Sequence, residues 1–405
     1  MELFAPVNIW GIGLEFFLFG LTLVGVALFH HKTMEVALTG MVAIVIYKTV
    51  FTSFGLVGHL HHEWKDLLNL FGLLIGFAIL ADHFEHSGIP AGLPKYLPDN
   101  WTGGFALLVI VFMLSALLDN IAATMIGGGI AHVVYRRKLH LAFLAAIVAA
   151  SNAGGSGSVL GDTTTTMMWI DGVNLFDVLH AYVAAVPALI LVGIPASIQQ
   201  HRYNPIMKDE VRNVHISQRR VLVCVLMLLG AVGANILLDF PAIGVWLAIF
   251  IGSFIITTHW KVIRHAMSGT IFLLALVLSA SMMPVDKLPE ASWHTTLGLG
   301  FLSSVFDNIP LTKLALVQGG YDWGILAFAV GFGGSMIWFG SSAGVALSNM
   351  FPEAKSIVAW VKNAWYIIPA YVISYFIMLQ IMGWNPHAPH KEPKLDIQEI
   401  MMDKH

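Results

Sequence analysis

Two short stretches of this chain set the same acid–amide pair in otherwise apolar sequence: LSALLDNIAA at 114–123 and LSSVFDNIPL at 302–311. A charged carboxylate at the centre of a bilayer costs about 2.5–3.5 kcal/mol on insertion scales, so such residues mark a functional site by default. Asp119 and Asp307 each offer hard carboxylate oxygen to a small cation, or take up a proton in its place. Asn120 and Asn308 are expected to cap the helical arm after each tip by accepting an orphan backbone N–H. A third motif, SNAGGSGSVLGDTTTT at 151–166, adds glycines that interrupt a helix, Ser and Thr hydroxyls, and a third carboxylate, Asp162. Sodium and similar hard ions take such oxygens, which transporters draw from unwound helix. Close helix packing accounts for the glycines at 127–129, but it leaves Asp162 and the four threonines without a task.

Composition decides which elements carry these residues. Of 405 residues, 57% are hydrophobic and 11% charged, with a mean hydropathy of +0.76. Runs of roughly 18 or more apolar residues recur, each enough for a transmembrane helix. The alternating pattern of a membrane barrel is missing. The fold class is therefore an all-α polytopic membrane protein, with the lipid bilayer as its main partner. A net charge of −3 on so few charged residues gives no basis for binding nucleic acid. The single cysteine, Cys224, excludes an intrachain disulfide or a Cys-based metal site. The apolar run at 7–29 has neither a basic leader nor a small-residue cleavage site, so it reads as a retained span.

The chain also repeats itself. Besides the two tips, NAGGSGSVLGD at 152–162 aligns with FGGSMIWFGSS at 332–342, matching Gly154 with Gly333, Gly155 with Gly334, Ser156 with Ser335 and Gly161 with Gly340. Two ordered matches point to an internal repeat. A straight helix over 101–134 would be about 50 Å long, too long for a core of about 30 Å. A re-entrant hairpin solves that segment, and a helix broken at the glycines solves 139–170. The first repeat is thus 1–198, with hairpin 101–134 and broken helix 139–170. A polar linker spans 199–220. The second repeat is 221–385, with hairpin 295–318 and broken helix 324–350, and 386–405 is a tail. About ten spans accompany the two hairpins. An odd number of crossings per half makes the second repeat inverted.

On these motifs the chain resembles a known family. NAGGSGSVLGDTTTTMMWI at 152–170 is similar to the signature of NhaD-type sodium/proton antiporters, in the ion-transporter superfamily that also holds divalent-anion/sodium symporters. The likeness runs from about residue 67 to 350. It implies two inverted repeats, elevator-like alternating access, a homodimer, and no resident cofactor, Na+ and H+ being the transported ions. It assigns Asp119, Asn120, Ser151, Asn152, Asp162 and Thr164 to one half-site, and Asp307, Asn308, Ser341 and Ser342 to the other. Na+ would be held by Asp119, Asn120, Asp162, Asp307 and Asn308. The halves differ where Ser341 stands opposite Asp162. Lys313 is a departure, since the family leads one to expect a small apolar residue there. It is expected to pair with Asp307 and replace one cation, to attract an anionic substrate, or to snorkel to the surface.

The resulting expectation is exchange of Na+ or Li+ for H+ across the cytoplasmic membrane by a multi-pass transporter with no enzymatic activity. The alternative is sodium-coupled symport of citrate or another carboxylate, which an Asp at both tips would repel in a low-dielectric pocket. A remote alternative is an intramembrane serine protease, with Ser156 of GGSG as nucleophile and His132, His180 or His265 as its base. The histidines of HLHHEWKD (59–66) and PHAPHKE (386–392) read as solvated loop and tail. Glu15 and Lys48, inside spans 1 and 2, read as a structural ion pair.

Overall fold

The computed structural model describes residues 8–9, 12–29, 32–207 and 215–388. A small antiparallel ladder, β1 (Asn8–Ile9) with β2 (Ile12–Gly13), leads into helices. The first half comprises α1 (Leu14–Leu28), α2 (Thr33–Phe51), α3 (Leu56–Glu85), the short α4 (Ile89–Gly92), α5 (Trp101–Ser115), α6 (Asn120–Val134), α7 (Leu141–Ser156), α8 (Thr163–Ile170), α9 (Leu175–Leu179) and α10 (Tyr182–Tyr203). The second comprises α11 (Gln218–Leu238), α12 (Pro241–Ile255), α13 (Lys261–Ser281), α14 (Trp293–Ser303), α15 (Asn308–Gln318), α16 (Trp323–Gly333), α17 (Ser342–Met350), α18 (Ile357–Asn363) and α19 (Ile367–Met382). Apart from the ladder, the described residues form helices and their connections.

Among the described residues, five helical stretches are long and apolar enough to cross a bilayer: α2, α3, α9 with α10, α11 and α13. α18 and α19, bent by 59°, make a sixth if they count as one span. Fewer full-length crossings appear than the ten expected, because the segments around the polar motifs are divided into short pieces.

α5 and α6 form a hairpin whose open end lies at one level. Gly103 at the start of α5 packs on Ile206, and Gly104 packs on the Tyr135 hydroxyl. At the end of α6, Val134 accepts the Met207 N–H at 2.9 Å and Tyr135 accepts Asn204 Nδ2 at 2.7 Å. α14 and α15 do the same: Gln318 Nε2 reaches back to the Pro289 carbonyl at 2.7 Å. The hairpin starts follow from their caps. Asn100 accepts the Thr102 N–H at 2.9 Å, and Ser292 and Thr295 form a reciprocal capping box at α14.

α7 and α16 are the centre of the molecule, buried from Ala142 to Ser156 and from Trp323 to Gly333. Each leans on its own hairpin through glycine. A Cβ at Gly154 would lie 2.1 Å from the Phe112 carbonyl oxygen, and one at Gly333 would lie 2.2 Å from that of Gly300. Past each break, Gly161 meets the Ser115 carbonyl and Gly340 the Ser304 carbonyl in the same way. No side chain fits where backbone meets backbone so closely. The two broken helices touch where they unwind, Gly331 facing Ser156 and the Asn152 carbonyl.

Several expectations need correction. HLHHEWKD is not a loop but belongs to α3, because the stretch is amphipathic: His61, His62 and Trp64 are exposed while Glu63 is buried. The linker is shorter than 199–220, since α10 continues to Tyr203 with Gln200 buried, and Ser217 donates to the Ser87 carbonyl at 2.8 Å. Residues 208–214 lie outside the described residues. Lys48 donates to the carbonyl of Met282, just past α13, while Glu15 acts on it as a nearby charge without a direct bond. Beyond α19, Asn385 and the tail residue His387 clasp the start of α16, through Asp322 at 3.0 Å and Trp323 Nε1 at 2.7 Å. Residues 389–405 lie outside the described residues.

Candidate functional site

Four helices begin at one place. Asp119, Asp162, Asp307 and Ser341 are the N-cap residues of α6, α8, α15 and α17. Asp162 is almost fully buried and sits at the hub. Its Oδ1 accepts the Thr164 N–H at 3.0 Å. Its Oδ2 accepts Asn120 Nδ2 at 3.0 Å and Asn308 Nδ2 at 3.3 Å. The amides of both hairpin tips therefore converge on one carboxylate oxygen. The Asp162 carbonyl also accepts the Thr165 and Thr166 hydroxyls, both at 2.9 Å, and so holds the first turn of α8 in place.

Asn152 links the two breaks. Its Nδ2 donates to Ser335 Oγ and Ser341 Oγ, both at 3.0 Å, and its Oδ1 accepts Asn120 Nδ2 at 3.3 Å. Ser151 donates to the Asn120 carbonyl at 2.7 Å. In the second half, Asp307 Oδ1 accepts the Ile309 N–H and its Oδ2 accepts Ser342 Oγ, each at 3.1 Å. Thr164 is buried next to Asp162. A half-turn of an Asn amide exchanges donor for acceptor, so the same side chains can surround a carboxylate or present oxygen to a cation.

The two half-sites assigned by resemblance thus interlock, with Asn308 reaching Asp162 and Asn152 reaching Ser341. Two expectations fail here. The tip asparagines do not cap their arms: each is the first helical residue, and the N-cap position belongs to the Asp before it. Lys313 does not pair with Asp307. Six residues of helix turn it about 240° round the arm, toward α3, where Nζ lies 2.9 Å from Glu63 Oε2 with side chains only 7% and 10% exposed. Asp66 and Asp171 line the same small pocket. Ser335 and Glu63 are the contributors that sequence reasoning missed. Ser335 was visible as the repeat partner of Ser156, whereas nothing local pointed to Glu63.

A cavity of about 1270 Å³ adjoins the tips. Asp119, Asp162 and Asp307 all lie on its wall, with Thr163, Thr166 and Ser342. Asp82 and Glu85 line it as well, and among the described residues no Lys or Arg does. Ser156 is fully buried, and its hydroxyl donates to the Ala153 carbonyl at 2.8 Å, which is no arrangement for a nucleophile.

A polytopic helical protein with a carboxylate-lined cavity at broken helices has the architecture of a membrane transporter. The sequence model of the citrate transporter family (CitMHS) matches residues 9–333, and the chain belongs to that family. Among curated relatives, sodium/proton antiporter 1 of Arabidopsis thaliana is 26% identical over 323 residues, covering 68% of this chain and 53% of that protein. The chain thus spans about half the length of that relative. Sodium/proton antiporter 2 of the same plant is 26% identical over 377 residues, 78% of this chain and 86% of that one. The Na(+)/H(+) antiporter NhaD of Vibrio cholerae is 25% identical over 328 residues, 67% and 68% of the two chains.

Proposed function

We propose that this chain is a secondary antiporter that exchanges Na+ (or Li+) for H+ across the cytoplasmic membrane. The observation that carries the reading is the placement of Asp119, Asp162 and Asp307 on the wall of one cavity. Cation and proton compete for the same carboxylates: a bound proton removes the charge that holds the cation, and a bound cation excludes the proton. The relatives named as sodium/proton antiporters support the same cargo. Two inverted repeats moving as an elevator, in a homodimer, complete the proposal. The matching glycine contacts of the two halves favour the repeats.

The family's description favours a second reading, symport of citrate with sodium. A tricarboxylate would enter a cavity walled by five carboxylates, with His265 but no lysine or arginine among the described lining residues to receive it, and Lys313 is engaged by Glu63 on α3. Purified protein in liposomes with an internal pH dye separates the two. Sodium-evoked proton movement without citrate is expected. Sodium uptake that requires citrate would replace exchange by symport.

A further inference from the structure

α3 ends at the outer part of the cavity, where it presents chemistry unlike that of the tips. Asp82 and His86 stand one turn apart at the end of α3, and His259 comes from the connection between α12 and α13. His259 Nδ1 lies 2.9 Å from Asp82 Oδ2. His86 Nδ1 lies 3.3 Å from Asp82 Oδ1 and 2.9 Å from the Asp82 carbonyl, which leaves its Nε2 without a hydrogen-bond partner among the described residues. The two rings meet edge to face at 4.7 Å. One ligating atom from each residue falls within 4.8 Å of the others. His83, the next residue, is already engaged, 3.2 Å from Arg220 Nη1 and 3.4 Å from Thr258 Oγ1.

We propose that Asp82, His86 and His259 form a binding site for a divalent transition-metal ion of the Zn2+ class at the rim of the cavity. Ligands of a tetrahedral zinc, at bonds of about 2.0–2.2 Å, lie about 3.3–3.6 Å apart, so the three donors, within 4.8 Å of one another, need only small side-chain rotations to close on one ion. Two imidazoles and a carboxylate select borderline metals over alkali ions, which prefer all-oxygen sites. The donor set therefore separates this site from the cargo site at the tips. Both imidazoles are partly exposed, so water can fill the remaining position. Asp82 itself lines the cavity, and a metal there fastens α3 to the α12–α13 connection at the edge of the route to the tips. Occupation of the site slows transport.

The test uses the full chain, purified with any affinity tag removed and titrated with Zn2+ by calorimetry. Co2+, followed by its visible absorption, serves as a spectroscopic probe. One Zn2+ per chain is expected, with a Co2+ spectrum of fewer than six ligands. In the double variant His86→Ala/His259→Ala, affinity should fall by about 100-fold or more, since even outer-shell losses cost 10–100-fold. Zn2+ should slow ion exchange in liposomes of the native protein but not of the variant, whose zinc-free exchange persists. Equal Zn2+ binding by the two proteins, no binding by the native one, or a six-coordinate Co2+ spectrum overturns the site. If the double variant does not fold, the native Co2+ spectrum alone decides. The binding measurements need no transport, so this site and the antiport reading can fail separately.

Discussion

The two broken helices share a backbone plan and differ in charge. α7 and α16 each stop beside their own hairpin, with glycine against a carbonyl on both sides of the break. The helix that resumes is then capped by Asp162 in the first half and by Ser341 in the second. Asn152 likewise has Gly331 as its counterpart, and that glycine lies against the Asn152 carbonyl. The backbone plan is thus common to both halves, while the polar groups that fill it are concentrated in the first. Asp162 takes an amide from each tip, whereas Ser341 takes only Asn152 and the Gly344 N–H.

The largest effect should follow from Asp162→Asn. Asparagine caps as well as aspartate, so the protein should fold while sodium-evoked proton movement drops to that of protein-free liposomes. Ser341→Ala, in contrast, should retain exchange, and equal losses from the two changes would erase the proposed asymmetry. Asp119→Asn and Asp307→Asn should each leave a folded protein with severely weakened exchange, and native rates in both would relegate the tips to structure.

Next is the ion pair on α15. Lys313→Ala leaves Glu63 buried without a partner and should cost about 3–5 kcal/mol of stability. The double change Lys313→Met/Glu63→Met should recover most of it. Thermal unfolding in detergent reads both, and the ion selectivity of whatever protein folds should stay native. A shift of cargo in Lys313→Ala would place Lys313 back in the transport site.

Where the halves are alike, their losses should match. Gly154→Ala and Gly333→Ala each force a methyl against a carbonyl, an overpacking cost of about 1–3 kcal/mol, and a large difference between them would break the equivalence of the two breaks. The smallest effect separates the tips. Asp307 accepts a well-formed capping bond from the Ile309 N–H at 3.1 Å, whereas Asp119 faces the Ile121 and Asn120 N–H groups without a bond of that geometry. Asp307→Ala should therefore unfold more easily than Asp119→Ala, by about 1 kcal/mol.

The helix ends at the polar motifs were legible because each departs from a plain span. Segments 101–134 and 295–318 turn at the Asp–Asn pairs, and the glycines of both motifs end α7 and α16 where a break was expected. What was not legible depends on rotation or distance. The capping roles at the tips turn on which of two adjacent residues precedes the helix. The direction of Lys313 depends on winding along α15, and its partner Glu63 lies in a stretch whose histidines suggested a loop. His86 and His259 come from different halves of the chain, so no local pattern could join them.

Four helix N-termini meet at the tips, and each carries about half a positive charge from its unpaired N–H groups. Together α6, α8, α15 and α17 supply about +2, against −3 when Asp119, Asp162 and Asp307 are ionised. The sum is about −1. One monovalent ion brings that sum to zero, so the sodium and proton of the proposed exchange are electrically equivalent here. A divalent cation would overshoot neutrality, and a tricarboxylate would deepen the deficit to about −4. Helix ends and carboxylates together thus balance at a single unit charge.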